Sequence, residues 1–176
     1  MDKFLAQSTC LEYLSWNPIG PIRIELKDNP KIFNLDTVSV ETHCSWPVKF
    51  MKLFNGRMAL LSGNNIGSTD VIEFLNAWKS GEKFGNLEVF RLKCDLDMGK
   101  IRESVQFKEV KKDVVFKFQI KEEHKLQFTA DKEEYKTRTY MVRESDGHVA
   151  SVRLTKSLLL LGVWELTEKE FLEKFQ

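Results

Sequence analysis

The sequence predicts a mixed α/β domain, with short βα units in its N-terminal half and antiparallel hairpin strands plus a short terminal helix in its C-terminal half. Two patterns predict this class. Short apolar strands alternate with helix-periodic segments up to about residue 105, and alternating apolar and charged residues follow from about Lys111. The 176 residues, 42% hydrophobic and 30% charged, are typical of one globular domain. We expect residues 1–21 to form an N-terminal segment and residues 22–176 to form a single domain.

The N-terminal half contains four predicted strands. Ile22–Leu26 alternates apolar and charged residues, as a half-buried strand does. Leu35–Val40 and Leu87–Leu92 both fit L-x-x-L-x-L, and their starts are 52 residues apart with the apolar Met58–Leu61 between them. Half of that spacing lies within the leucine-rich-repeat range of roughly 20 to 29 residues. Degenerate leucine-rich repeats and βα units on an open sheet without repetition remain alternatives, and both place strands on one side and helices on the other.

A helix is predicted after each of the last three of these strands. The first begins near Pro47 and extends to Phe54, before Asn55-Gly56 ends it. Thr69 is expected to cap the second, and Gly81 follows its last residue. Residues 98–105 carry the weaker periodicity of a third helix.

The C-terminal half reads as strands followed by a helix. Phe116–Ile120 alternates apolar and polar residues, and Asp146-Gly147 is a hairpin-turn dipeptide between two further strands. Leu158–Trp164 is apolar on both faces, which predicts a central strand. Thr167–Glu170 has the pattern of a capping box, and a short helix ending near Phe175 should follow.

Composition and spacing argue against several function classes. The net charge is +1, so we expect no strong electrostatic attraction to nucleic-acid phosphates or to an anionic membrane. The three cysteines, odd in number and without a C-x-x-C pair, favour reduced thiols in the cytoplasm or nucleus. No signal peptide or membrane span is expected. The three histidines lie 81 and 24 residues apart, so we expect neither a metal nor a cofactor.

Two rival functions keep some support in the sequence. A small cysteine-dependent hydrolase or transferase would use Cys44 with a distant His124 or His148. A nucleic-acid-binding domain would use the stretch Lys100–Arg143, which has 12 basic residues and interleaved aromatics but also eight acidic residues. The glycine-containing loop Ser62–Ser68 lacks the lysine and spacing of a phosphate-binding loop, and is interpreted as a strand-to-helix connection.

Two stretches resemble the nematode F-box-associated domain (type 2). Asp70–Gly81 contains F-L-x-x-W-x-x-G and leads to the N-L-E of Asn86–Glu88. Arg143–Val152 reads R-x-x-D-G-x-x-A-x-V, and a V-W pair follows at Val163–Trp164. The two motifs occur in order, about 65 residues apart, and the resemblance covers roughly residues 35–164.

The resemblance implies a non-catalytic protein-protein interaction module that recruits a substrate to a cullin-RING ubiquitin ligase. Another protein is therefore the expected partner, with no catalytic, cofactor-binding or metal-binding residues and no membrane. The matched residues are expected to be structural, with Trp78 and Trp164 as core anchors. Met1–Gly20 is too short for an F-box, so ligase subunits are expected as partners only if an F-box lies upstream.

Overall fold

The computed structural model describes residues 13–16, 30–41, 46–119 and 132–176. The predicted strand Ile22–Leu26 lies outside them. In the described residues, eight strands form one sheet in the order β1-β2-β3-β4-β8-β7-β6-β5, which confirms the mixed α/β class. The strands are β1 (Tyr13–Trp16), β2 (Thr37–Glu41), β3 (Met58–Ser62), β4 (Val89–Lys93), β5 (Lys108–Gln119), β6 (Lys132–Val142), β7 (His148–Thr155) and β8 (Leu158–Thr167).

The described helices separate or follow these strands. They are a 3₁₀ helix (Pro30–Asn34), α1 (Trp46–Leu53), α2 (Ser68–Ser80), α3 (Met98–Ser104) and α4 (Glu168–Phe175). All three helices predicted in the N-terminal half are present, and the short C-terminal helix is confirmed.

The first four strands are parallel and lie in chain order. Because parallel crossovers are right-handed, this order places α1 and α2 on one face of the sheet, and Ile101 of α3 packs into the same core. Thr37, Met58 and Val89 begin β2, β3 and β4, so successive strands start 21 and 31 residues apart. The βα units are therefore irregular in length. Strand β1 lies within residues 1–21, and its pairing with β2 adds a strand that the sequence pattern does not predict.

The main core lies between this face and the three helices. Phe50, Val71, Leu75 and Trp78 of the helices are 0% exposed and pack on side chains such as Val38 of β2. Full burial of such side chains contributes about 1.5–3 kcal/mol each. Trp78 is thus the core anchor that the sequence predicts.

The remaining strands are antiparallel, and β8 lies between β4 and β7. This position confirms the predicted central strand. The pairing of β5 with β6 shifts register between Glu109 and Val114. Phe116 of β5 packs on the face of the sheet that lies opposite the helices α1, α2 and α3. A Cβ at Gly162 would collide with the Phe116 ring, so glycine in β8 permits this close approach.

Helix α2 starts earlier than Thr69, and the prediction that Thr69 caps it is wrong. Gly67 is the N-cap, because the Asp70 carboxylate accepts the Gly67 N–H at 3.0 Å and so satisfies an amide at the helix start. At the other end, Gly81 has φ +80° and its N–H donates to the Trp78 carbonyl. That left-handed residue confirms the predicted C-terminal stop.

Helix α4 docks through aromatic side chains. The Glu170 carboxylate accepts hydrogen bonds from the Thr167 N–H at 2.8 Å and from the Thr167 hydroxyl at 2.7 Å. Glu170 therefore caps the start of the helix, as the capping-box pattern predicts. Phe171 is fully buried against Tyr140 and Trp164. Trp164 itself is half-buried, and its Nε1 donates to the Ser151 hydroxyl at 2.8 Å.

Candidate functional site

The candidate site is a cleft at the amino ends of the parallel strands. Asp36, Arg57 and Glu88 each precede a strand directly, and the register pairs Thr37 with Met58 and Met58 with Val89. The three side chains are therefore neighbours along one edge of the sheet. We call this cavity the strand-end cleft.

The three charges form a ladder with the cation in the middle. Arg57 Nε lies 2.7 Å from Glu88 Oε1, and Arg57 Nη2 lies 2.8 Å from Oε2, so the pair is bidentate. Arg57 Nη1 lies 3.7 Å from Asp36 Oδ1. The hydrogen bond to Glu88 raises the pKa of Arg57 above its usual value. Because about half of the Arg57 and Glu88 side chains is exposed, the ladder is also accessible from solvent.

Amide groups continue the same edge. Asn86 Nδ2 donates to the Asn55 carbonyl at 3.2 Å, and Asn55 Nδ2 lies 3.4 Å from Asn34 Oδ1. The resulting cleft has a volume of about 470 Å³. Its lining residues are Asn34, Asp36, Asn55, Gly56, Arg57, Gly85, Asn86, Leu87, Glu88, Arg143, His148, Val163, Trp164 and Glu165.

The turn between β6 and β7 supplies the far wall of the cleft through Arg143. This side chain is 6% exposed, and its Nη2 lies 2.6 Å from Asp146 Oδ2. Its Nε lies 3.0 and 3.1 Å from the two Asp146 oxygens. Nη1 makes longer contacts of 3.5 and 3.4 Å with the carbonyls of Phe84 and Gly85. Arg143 therefore joins the turn to the loop before β4.

Arg143 also joins the two sequence motifs. Its guanidinium lies over the Trp78 ring, 5.4 Å from the ring centroid, a cation–π arrangement. The Glu144 N–H donates to the Lys79 carbonyl at 2.7 Å, and a Cβ at Gly81 would collide with Ser145. The two motifs, distant in sequence, thus form one contact surface behind the cleft. We refer to Trp78, Arg143, Asp146 and His148 as the Arg143 cluster.

Asp146 and His148 share the polar side of this cluster. Hydrogen bonds from Arg143 lower the pKa of Asp146 to about 2. His148 Nδ1 lies 3.0 Å from both Arg143 Nη2 and Asp146 Oδ2. Nδ1 accepts from Arg143 in the tautomer that carries the ring hydrogen on Nε2, and donates to Asp146 in the tautomer that carries it on Nδ1. The ring is thereby held as part of the wall.

The predicted catalytic alternative is only partly within the described residues. Cys44 and His124 lie outside them, and His148 lies in the Arg143 cluster. Burial followed by the charge of Asp95 raises the pKa of Cys94 to about 11, so that thiol stays protonated at neutral pH. Among the described residues, no group of three His, Cys, Asp or Glu side chains is placed to hold a metal ion. No described helix is long and apolar enough to cross a membrane.

The basic stretch Lys100–Arg143 is interleaved with acidic partners where the structure describes it. Lys108 lies 2.8 Å from Glu168, and Arg138 lies 2.8 Å from Asp113. Lys117 lies 3.3 Å from Glu134. This pairing offsets the positive field that a nucleic-acid surface requires. The loop Ser62–Ser68 connects β3 to α2, as the sequence predicts.

The strand-end cleft was not predicted from the sequence. Asp36, Arg57 and Glu88 stand directly before three apolar strands, and that recurrence was the available signal. Its meaning depends on parallel register, which unites residues far apart in the chain. Scans against protein-family models, curated proteins and solved structures find no match to this chain. The resemblance to the F-box-associated domain remains a prediction.

Proposed function

We propose that this chain is a non-catalytic protein-protein interaction module and that the strand-end cleft receives a segment of the partner protein. One observation carries the proposal. A concave site of about 470 Å³ is lined by charged and amide side chains, and three of them, Asp36, Arg57 and Glu88, stand at the amino ends of β2, β3 and β4. Side chains held in this way recognise a polypeptide with little loss of conformational entropy.

The pairing within the site favours binding over catalysis. Arg57 is paired with Glu88, and Arg143 is paired with Asp146. Both guanidinium groups are therefore held in fixed positions in the lining of the cleft. Asn55 and Asn86 add amide groups of the kind that hydrogen-bond to peptide backbone. These groups suit recognition of a main chain together with one or more side chains.

The sequence resemblance suggests in addition what the bound protein is recruited for. A domain of the F-box-associated type would present its bound protein to a cullin-RING ubiquitin ligase, in the cytoplasm or nucleus. Ligase subunits join such a complex only through an F-box upstream. The cleft is the surface that we assign to the recruited substrate.

Two glycine substitutions test the site because neither strains the backbone. Gly85 lines the cleft, and an added Cβ there meets nothing within 4 Å. Gly99 of α3 is exposed outside the cleft, and the nearest atom to its added Cβ is Asp97 Oδ1 at 3.4 Å. Gly85→Trp should fill part of the cleft, whereas Gly99→Trp adds the same bulk elsewhere.

The measurement is quantitative mass spectrometry of proteins retained by the immobilised wild type and both variants. We expect a set of proteins retained by wild type and Gly99→Trp and reduced at least about fivefold by Gly85→Trp, which is roughly 1 kcal/mol of binding free energy. Circular dichroism checks that both variants fold. An identical set on all three proteins, or no retention above empty resin, would overturn the proposal.

A further inference from the structure

We propose that the turn Phe84–Leu87, which forms one wall of the strand-end cleft, opens locally and that Arg143 holds it closed. The wall opens whether or not the cleft receives a partner segment. One strained backbone conformation, together with the contacts that maintain it, carries the inference.

Phe84 has an unusual backbone conformation. Its φ is +64°, and it is the one non-glycine residue with a positive φ among the residues that the structure describes. In this left-handed region the side chain of an L-residue crowds the backbone, so bulky residues rarely adopt it. Gly85, the next residue, can adopt the region without that crowding but does not have a positive φ. The closed turn is therefore strained at Phe84, and a rearrangement in which Gly85 takes up the positive φ relieves the strain.

Two buried apolar side chains offset this strain at the ends of the turn. Phe84 is 4% exposed, and its ring centroid lies 4.8 Å from that of Phe74 in α2. Leu87 is 2% exposed, and its N–H donates to the Phe84 carbonyl at 3.1 Å, which closes the turn. Strained conformations persist only where surrounding contacts of this kind maintain them.

The exposed middle of the turn is held more weakly than its ends. Arg143 Nη1 lies 3.5 Å from the Phe84 carbonyl oxygen and 3.4 Å from that of Gly85, at the long limit of a hydrogen bond. Arg143 itself is fixed, because its Nη2 lies 2.6 Å from Asp146 Oδ2. Arg143 is therefore a positioning residue whose two contacts with the turn are broken by a small displacement.

Opening of the turn changes the shape of the cleft. Gly85 and Asn86 are exposed residues of its lining. Asn86 Nδ2 donates to the Asn55 carbonyl at 3.2 Å, and this bridge across the cleft edge belongs to the closed turn. Glu88 is held separately, because its N–H donates to the Arg57 carbonyl at 2.8 Å. One wall therefore moves while the Arg57–Glu88 pair stays in place.

Amide hydrogen exchange followed by nuclear magnetic resonance measures the opening in the protein alone, independently of partner binding. The Leu87 amide reports the turn, and the Val89 amide, which donates to the Arg57 carbonyl at 3.1 Å, is the internal reference. After correction for intrinsic rates, we expect Leu87 to exchange at least about tenfold faster than Val89, because a local opening requires less free energy than opening β4. Equal protection of the two amides would show that the turn opens only together with β4 and would overturn the proposal.

The variants Phe84→Ala and Phe84→Gly isolate the strain. Both remove the ring, and only alanine keeps the left-handed penalty, so the Leu87 amide should be about fivefold better protected in Phe84→Gly than in Phe84→Ala. Lys83 is the control position, because it is exposed and has no positive φ; glycine there should protect Leu87 less well than alanine. Protection in Phe84→Ala that equals or exceeds that in Phe84→Gly would show that Phe84 is not strained, and would overturn the proposal.

The variant Arg143→Lys tests what holds the turn closed. It keeps the charge and loses the forked geometry, so Leu87 should exchange at least about fivefold faster relative to Val89 than in wild type. The ratio to Val89 within each variant separates local opening from an overall loss of stability. Arg138→Lys is the control, because it alters an exposed ion pair with Asp113 and should leave the ratio unchanged. An unchanged ratio in Arg143→Lys, or an equal change in Arg138→Lys, would refute the role of Arg143.

Discussion

Replacing Arg143 tests the contact that joins the two sequence motifs. The side chain is 6% exposed and holds Asp146, two backbone carbonyls and the face of Trp78. Arg143→Ala removes all of these contacts at once. The docking of the β6–β7 turn on α2 should loosen as a result.

The magnitude follows from what the substitution leaves behind. Removing one partner of a buried ion pair costs about 3–5 kcal/mol because the other charge is left without compensation. The Asp146 side chain is 38% exposed and regains water, which reduces that cost. The lost cation–π contact adds about 0.5–2 kcal/mol. We expect Arg143→Ala to lower the free energy of unfolding by about 2–3 kcal/mol, and Arg143→Lys by about 1–2 kcal/mol because the forked geometry is lost.

Urea denaturation followed by tryptophan fluorescence and far-ultraviolet circular dichroism measures this difference. Arg138→Ala is the matched control, because Arg138 also pairs with an aspartate but is 61% exposed. An exposed pair contributes at most about 1 kcal/mol. If Arg143→Ala were no more destabilising than Arg138→Ala, the Arg143 cluster would not stabilise the fold and the reasoning would be refuted.

Three further predictions concern single groups. Because hydrogen bonds from Arg143 lower the pKa of Asp146 to about 2, the ionised carboxylate stabilises the folded state above about pH 4, and this stabilisation is lost as the pH falls toward 2. The carboxylate is 38% exposed, which limits the stabilisation to about 1 kcal/mol. Asp146→Asn should remove this part of the pH dependence of the free energy of unfolding. Gly81→Ala should cost at least about 1 kcal/mol because φ is +80°, whereas Gly85→Ala should change stability by under about 0.5 kcal/mol; equal thermal melts would contradict this. In a variant that retains only Cys94, maleimide labelling at pH 7 should be at least about tenfold slower folded than unfolded, since burial raises the pKa of this thiol to about 11; equal rates would contradict it.

The local elements were predictable because each depends on residues close in the chain. The dipeptide Asp146-Gly147 located the hairpin between β6 and β7, and Gly147, with φ +76°, provides the predicted turn. Gly81 ended α2 for the same kind of local reason. The prediction at Thr69 was wrong although threonine is a common N-cap, because the helix begins earlier. Gly67 is the N-cap, and its N–H donates to the Asp70 carboxylate.

The long-range contacts were not predictable from one sequence. Nothing local to Arg143 shows that it lies over Trp78, although the two residues stand in the motifs Arg143–Val152 and Asp70–Gly81. The strand-end cleft depends likewise on the register of β2, β3 and β4. A charged residue before a single strand usually marks only a solvated turn. Three such residues became a site because parallel pairing aligned them.

The most direct test of the account is a nuclear magnetic resonance titration of the labelled protein with a partner protein that the wild type retains and Gly85→Trp does not. Backbone amide shifts report which residues meet the ligand. The account predicts that the largest shifts fall in residues 34–36, 55–57, 85–88 and 163–165, and that Gly85→Trp removes them. Shifts concentrated along β5 or α4, with the cleft residues unchanged, would contradict it.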